Sequence, residues 1–214
     1  MKRLPFDKAG IERICREYPT PFHIYDARGI RENVRRLRRA FAWNPGFREY
    51  FAVKALPNPV VMRLLHEEGC GMDCSSLTEL MLSRAVGITG RDIMFSSNDT
   101  PPEEFELARE LDAIINLDDI THIEFLHRHG GIPRTISCRY NPGGEFKLGN
   151  MIMGQPSEAK YGFTRAQLTD GFRQLLALGA EHFGLHAFLA SNTTDAGYYP
   201  ALARRLFRLA VELG

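Results

Sequence analysis

The feature of the sequence that most constrains the fold is a regular alternation of short apolar runs with longer segments of helical periodicity, from Phe51 to the last residue. Strand-like runs that alternate with helical segments predict an α/β fold, in which helices connect the strands of a parallel sheet. The six pairs are YFAVKA before VVMRLLHEEG, GMDCSS before LTELMLSRAVG, DIMFSS before PEEFELAREL, AIINLDD before ITHIEFLHRHG, TISCRYNP before RAQLTDGFRQLLALG, and HFGLHAFLAS before YYPALARRLFRLAVELG.

The connection after the first strand distinguishes between two α/β architectures. An open doubly wound sheet usually has a glycine-rich turn there, but this turn reads Leu56-Pro57-Asn58-Pro59. We therefore favour a (β/α)8 TIM-type barrel, in which catalytic groups lie at the carboxyl ends of several strands. Residues 49–214 supply about six of the eight β/α units. We expect the remaining units to follow Gly214, so that the chain is the front part of a longer protein.

The first 48 residues do not follow the alternation. PFHIYD, residues 21–26, is interpreted as a strand that would pair with a β domain missing from this chain. ARGIRENVRRLRRAF, residues 27–41, predicts a basic amphipathic helix that leads into the barrel. For its arginines we favour a solvent-facing surface over a binding patch. The glycine-rich segment 141–161 is expected to cover the strand ends as a long loop.

Composition and charge indicate a soluble globular protein with a small-molecule partner. Of the 214 residues, 44% are hydrophobic and 25% charged, and the formal net charge is +1. Such a balance gives no long-range attraction to nucleic acid or to an acidic membrane. No apolar segment approaches the length of a membrane span.

The cysteines favour a reducing, cytoplasmic location and predict no metal site. Cys70 and Cys74 could form a metal-ligand pair, but no second Cys or His pair follows at a structural zinc spacing. The spacing also differs from that of a disulfide-stabilised secreted domain. The four cysteines are Cys15, Cys70, Cys74 and Cys138.

Lys54 is unusual because it lies within the apolar run Tyr50–Ala55. A lysine in a buried strand must be neutral, paired or covalently used, since burying its charge is costly. One interpretation is a structural pair with Asp73 or Glu79. The other is a Schiff-base lysine, whose amine condenses with an aldehyde. Its position near the carboxyl end of the first barrel strand favours the second interpretation.

Several segments resemble one known family. YFAVKALPNP followed by GCGMDCSSLTEL is similar to the signature of the fold-type III, pyridoxal-phosphate-dependent amino-acid decarboxylases. Within this group the chain most resembles the diaminopimelate decarboxylases, because TPFHIYD, CRYNPG and AKYGF also occur in the expected order. The resemblance extends over nearly all of the chain.

The resemblance implies specific roles for five residues. Lys54 matches the lysine that forms the Schiff base with pyridoxal phosphate. Asp73 and Glu79 match acidic positions that support this lysine and its surroundings, and Arg139 matches an arginine that lines the cofactor. Lys160 matches a lysine near the active site, commonly across a dimer interface. The alternatives are a helix cap for Asp73 or Glu79, a rim charge for Arg139 and a solvated loop position for Lys160.

The sixth strand departs from the family pattern. Relatives commonly carry His-x-His-x-Gly-Ser, whereas this chain reads His186-Ala-Phe188-Leu-Ala-Ser191. Phe188 takes the place of the histidine that stacks on the cofactor ring, and phenylalanine can stack but cannot carry a proton. Ser191 fits a phosphate contact. His186 is expected near the cofactor, although a buried core histidine is the alternative.

The resemblance implies decarboxylation of an amino acid, with meso-diaminopimelate converted to lysine as the expected reaction and a homodimer as the expected assembly. Ornithine, arginine or carboxynorspermidine are alternative substrates. A non-catalytic pyridoxal-phosphate-binding relative, or an aldolase-like barrel in which Lys54 reacts directly with a sugar phosphate, are alternative functions. Because further cofactor-binding segments of the relatives lie later in sequence, residues 1–214 alone are expected to be inactive.

Overall fold

Strands and helices alternate along the part of the chain that a computed structural model describes, residues 4–144 and 155–214. Two helices, α1 and α2, precede the first strand, and from there each strand is followed by a helix. The strands are β1 Tyr50–Ala52, β2 Gly71–Cys74, β3 Ile93–Phe95, β4 Ile114–Leu117, β5 Thr135–Arg139 and β6 His182–His186. The helices are α1 Lys8–Glu17, α2 Ala27–Ala40, α3 Pro59–Glu67, α4 Leu77–Ala85, α5 Pro102–Glu110, α6 Thr121–His129, α7 Arg165–Ala177 and α8 Tyr198–Leu213.

The six strands form one parallel sheet, whose strand order β1-β2-β3-β4-β5-β6 is the order of the chain. In register, Ala52 lies beside Asp73, and Arg139 lies beside His186. Within the described residues the sheet is open, because β1 and β6 do not pair with each other. This arrangement confirms the predicted α/β fold and corresponds to six units of a TIM-type barrel.

The core lies between the sheet and the helices that cover it. Strands β2 to β5 are almost entirely buried, which explains why their sequences are near-continuous apolar runs rather than alternating ones. The largest fully buried side chains come from the strands, from the helices and, for Ile88 and Phe163, from the segments that connect them. They are Phe95, Phe105, Phe163, Met62, Met72, Leu80, Ile88, Ile93, Ile115, Leu117, Ile123 and Leu126.

Polar caps begin several helices shortly after a strand ends. The Asn58 side chain accepts hydrogen bonds from the first turn of α3, at Val60 N and Val61 N. The Ser76 side chain accepts one from Glu79 N in α4. An N-cap side chain satisfies amide groups that have no partner inside the helix. These caps end the strand-to-helix connections close to the sheet and so keep the connecting residues at its carboxyl edge.

The first strand is shorter than predicted. Strand β1 ends at Ala52, and Val53–Ala55 forms a 3₁₀ turn in which Leu56 N donates to Val53 O over 3.1 Å. Pro57 has no amide hydrogen and cannot extend a strand ladder. Lys54 therefore lies two residues past the strand, and its side chain is exposed rather than buried in the sheet. The prediction of a buried strand over Tyr50–Ala55 is wrong for its second half.

The segment Pro21–Asp26 is not a strand in the structure. Its residues have no β partner in the described parts of the chain, and Tyr25 is 43% exposed. The backbone groups of a strand need hydrogen-bond partners on a neighbouring strand. The sheet ends at β1, and this segment does not pair with that strand.

The basic helix is confirmed, but its arginines are not all solvent-facing. In α2, Val34 is buried, and Arg31 and Arg35 both bind the carboxylate of Glu68 next to α3. Part of the arginine run therefore attaches α2 to the first helix of the sheet.

Other expectations concern regions that the structure describes only in part. The loop predicted over 141–161 includes residues 145–154, which lie outside the described residues.

All four cysteines are free, and only Cys15 is exposed. In residues 4–144 and 155–214, no helix has the length and apolar character needed to cross a membrane.

Candidate active site

A cavity of about 390 Å³ lies at the carboxyl edge of the sheet. Strands of a parallel sheet all end at this edge, so side chains distant in sequence meet there. The residues that line it come from the ends of β1, β2, β3, β5 and β6 and from the segments that follow them. They are Ala52, Lys54, Asp73, Ser96, Asn98, Arg139, Tyr161, His186, Phe188 and Ser191.

Lys54 places a primary amine in this cavity. Its Nζ lies 5.7 Å from the centroid of the Phe188 ring. Because the 3₁₀ turn Val53–Ala55 directs the chain out of the sheet, the long side chain extends into the cavity instead of into the core. In the part of the chain that the structure describes, no other lysine lines the cavity.

Asp73 lies on β2, beside Ala52 of β1, and lines the same cavity as Lys54. The Ser96 hydroxyl donates a hydrogen bond of 2.6 Å to its carboxylate. Burial raises the pKa of Asp73, and the bond from Ser96 and the charge of Lys54 partly oppose that rise. Asp73 therefore belongs to the cavity, and it is not a helix cap.

Glu79 has a different environment. Its carboxylate accepts hydrogen bonds from Ser75 N over 2.9 Å and from Ser76 Oγ over 3.1 Å. Glu79 N in turn donates to Ser76 Oγ, so Glu79 takes part in the N-terminal cap of α4. Glu79 does not line the cavity, and this geometry supports the helix-cap alternative.

Arg139, at the end of β5, is buried in an ion pair. Its Nη1 lies 2.8 Å from Asp118 Oδ1, and the side chains are 6% and 5% exposed. The guanidinium carbon also lies 4.5 Å from the centroid of the Tyr161 ring and 5.5 Å from that of Phe188. Arg139 thus lines the cavity next to the rings of Tyr161 and Phe188, and it is not an exposed charge at the edge of the cavity.

His186 lies at the end of β6, beside Arg139. Burial, and then the positive charge of Arg139, lower the pKa of His186 to about 4. The imidazole is therefore neutral at neutral pH. Its buried Nδ1 has no hydrogen-bond partner within the described residues.

The remaining expected residues differ in their placement. Phe188 and Ser191, in the segment after β6, both line the cavity. Lys160 is exposed and is not a lining residue, although its neighbour Tyr161 is.

Four residues of the site were not anticipated. Ser96 and Asn98 follow β3 in the same way that Lys54 follows β1, so the polar run SSN after an apolar strand was an available signal. Asp118 directly follows β4 and Tyr161 lies in the AKYGF segment. Their contacts with Arg139 depend on three-dimensional pairing, for which the sequence contains no local signal.

The fold and the site together define a barrel-type α/β protein with a lysine amine at the carboxyl ends of its strands. Residues 27–214 match the family described as the pyridoxal-dependent decarboxylases, pyridoxal binding domain. The chain belongs to this family, and pyridoxal phosphate is the cofactor of the domain.

Curated relatives agree with this family. The chain is 38% identical over 182 residues to protein TabA of Pseudomonas amygdali pv. tabaci, covering 85% of this chain and 42% of that protein. It is 30% identical over 208 residues to the diaminopimelate decarboxylase of Thermoplasma acidophilum, covering 96% and 50%. It is 32% identical over 190 residues to that of Methanothermobacter thermautotrophicus, covering 87% and 44%. The chain thus spans about half the length of these relatives.

Solved structures share the fold. A diaminopimelate decarboxylase from M. jannaschii in complex with L-lysine has a TM-score of 0.82 and 22% identity over 95% of this chain and 50% of that one. A lysine decarboxylase from Selenomonas ruminantium has a TM-score of 0.80 and 20% identity over 100% of this chain and 54% of that one.

The donor set of the cavity fits pyridoxal phosphate. Lys54 offers the amine that an aldehyde requires, and Phe188 offers a flat apolar face to an aromatic ring. Ser191 offers a hydroxyl group, and the buried Nδ1 of His186 is without a partner in the described residues. In the same residues, no group of three or more His, Cys, Asp or Glu side chains could hold a metal ion.

Proposed function

We propose that the chain forms the cofactor-binding part of a pyridoxal-phosphate-dependent amino-acid decarboxylase, with Lys54 as the residue to which the cofactor is covalently attached. The observation that carries this proposal is the position of the Lys54 amine in the cavity, 5.7 Å from the ring of Phe188. A flat aromatic cofactor attached to Lys54 would have the Phe188 ring within stacking reach.

The chain's own residues have distinct tasks in this proposal. Asp73 lies near Lys54, and its negative charge balances the positive charge of the Lys54 amine. Phe188 provides a stacking face, and Ser191 provides a hydroxyl for the phosphate group. When bound, pyridoxal phosphate supplies the conjugated system that takes up electrons from the bond that breaks. The protein orients this bond.

As substrate we propose meso-diaminopimelate, with L-lysine as the product. Support comes from the relatives at 30% and 32% identity that are named diaminopimelate decarboxylase. The relative at 38% identity has a different name, so ornithine, arginine and carboxynorspermidine stay as alternative substrates. We further propose a homodimer in the cytoplasm.

One observation favours a second candidate function, a pyridoxal-phosphate-binding protein without decarboxylase activity. Phe188 occupies the place at which the resembling enzymes carry a histidine, and it has no titratable group. If the reaction depends on an imidazole at this place, the chain binds the cofactor but does not turn over substrate.

The attachment site is tested by borohydride reduction of the cofactor-loaded protein, followed by peptide mapping. We expect the pyridoxyl group on Lys54, because no other lysine lines the cavity among the described residues. Lys54→Ala should abolish the label and leave the fold intact, since Lys54 is exposed and not part of the core. Lys8→Ala, which removes an exposed lysine of α1, is the matched control and should be labelled like the unchanged protein. A label found mainly on Lys147 or Lys160 would contradict the assignment.

A further inference from the structure

The ion pair between Asp118 and Arg139 has no task in the function proposed above. Asp118 directly follows β4, and Arg139 ends β5, so the pair connects two neighbouring strands at the carboxyl edge. The two side chains are 5% and 6% exposed, and the distance between Nη1 and Oδ1 is 2.8 Å. Arg139 lines the cavity, whereas Asp118 lies behind it.

Arg139 connects the two aromatic residues of the cavity. Its guanidinium carbon lies 4.5 Å from the centroid of Tyr161 and 5.5 Å from that of Phe188. Its Nη2 also donates to the Phe188 carbonyl oxygen over 3.4 Å. Cation–π contacts of this kind depend on where the cation is held. The positions of both rings are therefore coupled to one guanidinium.

The backbone near Tyr161 is attached to the same two strand ends. Gly162 N donates to Asp118 O over 2.8 Å, and Phe163 N donates to Arg139 O over 2.6 Å. Gly162 has a φ of +94°, and a Cβ there would lie 2.9 Å from Asn141 Cβ and 3.0 Å from Asn141 N. Only glycine fits such a close approach without displacement. Tyr161 is thus presented to Arg139 by backbone contacts to the ends of β4 and β5.

A guanidinium cannot lose its charge in a protein, so Arg139 must have an anionic partner where it is buried. Among the described residues, Asp118 is the anionic partner of Arg139. With its charge balanced in this way, Arg139 is better suited to hold neighbouring groups in place than to attract an anionic ligand.

We propose that Asp118 is a positioning residue that acts through Arg139: it fixes the guanidinium against Tyr161 and Phe188 and so sets the aromatic walls of the cofactor cavity. The inference rests on the proposed function, because it assumes that the cavity binds pyridoxal phosphate at Lys54. A purely structural role for Asp118 would affect the stability of the protein but not the surroundings of the bound cofactor.

The test compares Asp118→Asn, Arg139→Gln and the double variant with the unchanged protein. Three quantities are measured: the dissociation constant for pyridoxal phosphate, the visible circular dichroism of the bound cofactor, and the Tm of the cofactor-free protein. The circular dichroism reports on the asymmetric surroundings of the cofactor, which a loss of stability alone would not change. Asp170→Asn, which breaks an exposed Asp–Arg pair on α7, is the matched control.

We expect Asp118→Asn to raise the dissociation constant roughly tenfold, which corresponds to about 1.4 kcal/mol, and to reduce the circular dichroism. Because Asp118 acts through Arg139, the double variant should bind the cofactor within about twofold of Arg139→Gln alone. The control should retain the values of the unchanged protein.

Two results would overturn the inference. One is an Asp118→Asn protein with unchanged cofactor affinity and circular dichroism, whatever its Tm. The other is a double variant that binds much more weakly than Arg139→Gln, and this comparison decides the matter even if Asp118→Asn does not fold.

Borohydride labelling of the unchanged protein separates the two proposals. Absence of label on Lys54 overturns both, whereas label on Lys54 with an unaffected Asp118→Asn variant overturns this inference alone.

Discussion

Phe188 and His186 show how the site differs from the pattern of its relatives at the scale of single residues. Both line the cavity. His186 is the last residue of β6, and Phe188 follows it after one intervening residue. His186 is half-buried, and its imidazole is neutral at neutral pH because its pKa is lowered to about 4. The Phe188 ring has its centroid 5.7 Å from Lys54 Nζ. An apolar ring therefore lies at the position where an imidazole would be expected.

The contribution of this ring can be measured directly. We expect Phe188→Ala to weaken retention of pyridoxal phosphate by up to about tenfold, because an aromatic contact contributes roughly 0.5–1.5 kcal/mol beyond burial. Phe188→His should retain the cofactor, since the imidazole also has a flat face. The measurement is a cofactor titration of both variants, and unchanged affinity in Phe188→Ala would show that the ring does not contact the cofactor.

At the scale of secondary-structure elements, α2 is attached to α3 by charge. Arg31 and Arg35 both bind the Glu68 carboxylate, at 2.9 and 2.7 Å. Arg38 Nη1 adds a hydrogen bond of 2.9 Å to the Glu68 carbonyl oxygen. Hydrogen bonds from Arg35 and then Arg31 lower the pKa of Glu68 to about 2. Apart from the buried Val34, α2 has few apolar anchors, so this cluster is important for its position.

The cluster predicts a specific dependence of stability on pH. A carboxylate with a lowered folded-state pKa stabilises the protein above its unfolded-state pKa, and this stabilisation is lost as the pH falls through the folded-state value. For Glu68 the relevant interval is from pH 4.5 down to about 2. We expect Glu68→Gln to lower the Tm by a few degrees near neutral pH and the difference from the unchanged protein to shrink across that interval.

Glu12→Gln, which removes the exposed pair between Glu12 and Lys8, is the matched control for Glu68→Gln. Exposed pairs of this kind contribute little, so its Tm should follow that of the unchanged protein at every pH. A Glu68→Gln difference that stays constant down to pH 2 would argue against an electrostatic attachment of α2.

At the scale of the whole molecule, the sheet leaves two strand edges without a β partner in the described residues, one at β1 and one at β6. Unpaired edges expose backbone donors and acceptors. The chain also spans 50% or less of the three curated relatives compared above. We therefore expect residues 1–214 to turn over meso-diaminopimelate poorly compared with a relative of full length, such as the diaminopimelate decarboxylase of Thermoplasma acidophilum.

This expectation is tested by measuring release of carbon dioxide from meso-diaminopimelate by residues 1–214 and by the diaminopimelate decarboxylase of Thermoplasma acidophilum, with ornithine and arginine as comparison substrates. A monomeric 1–214 form that unfolds cooperatively and has comparable turnover would contradict it. Release from ornithine or arginine alone would instead exclude meso-diaminopimelate as the substrate.

The order of strands and helices could be predicted from sequence because parallel strands buried on both faces are read as apolar runs. The same pattern predicted Lys54 near the carboxyl end of the first strand, although the strand ends two residues before it. The cap of α4 by Ser76 is also local, because Ser76 and Glu79 are three residues apart in the sequence. The contact of Arg139 with Asp118 could not be predicted, because it depends on how β4 and β5 are aligned. The strand interpreted at Pro21–Asp26 has no β partner among the described residues, and its pairing with a further β domain stays a prediction.

The agreement between strand order and chain order also bears on how the molecule acquires its structure. Every strand after β1 pairs with the one synthesised just before it, so each new β/α unit meets an edge that is already available. Each such pairing still closes a loop that contains a helix, and parallel pairing of this kind forms more slowly than local contacts. Folding can then advance from the amino-terminal side during translation, one unit at a time. Among the lining residues of the cavity in the described parts of the chain, Phe188 and Ser191 are the last to leave the ribosome.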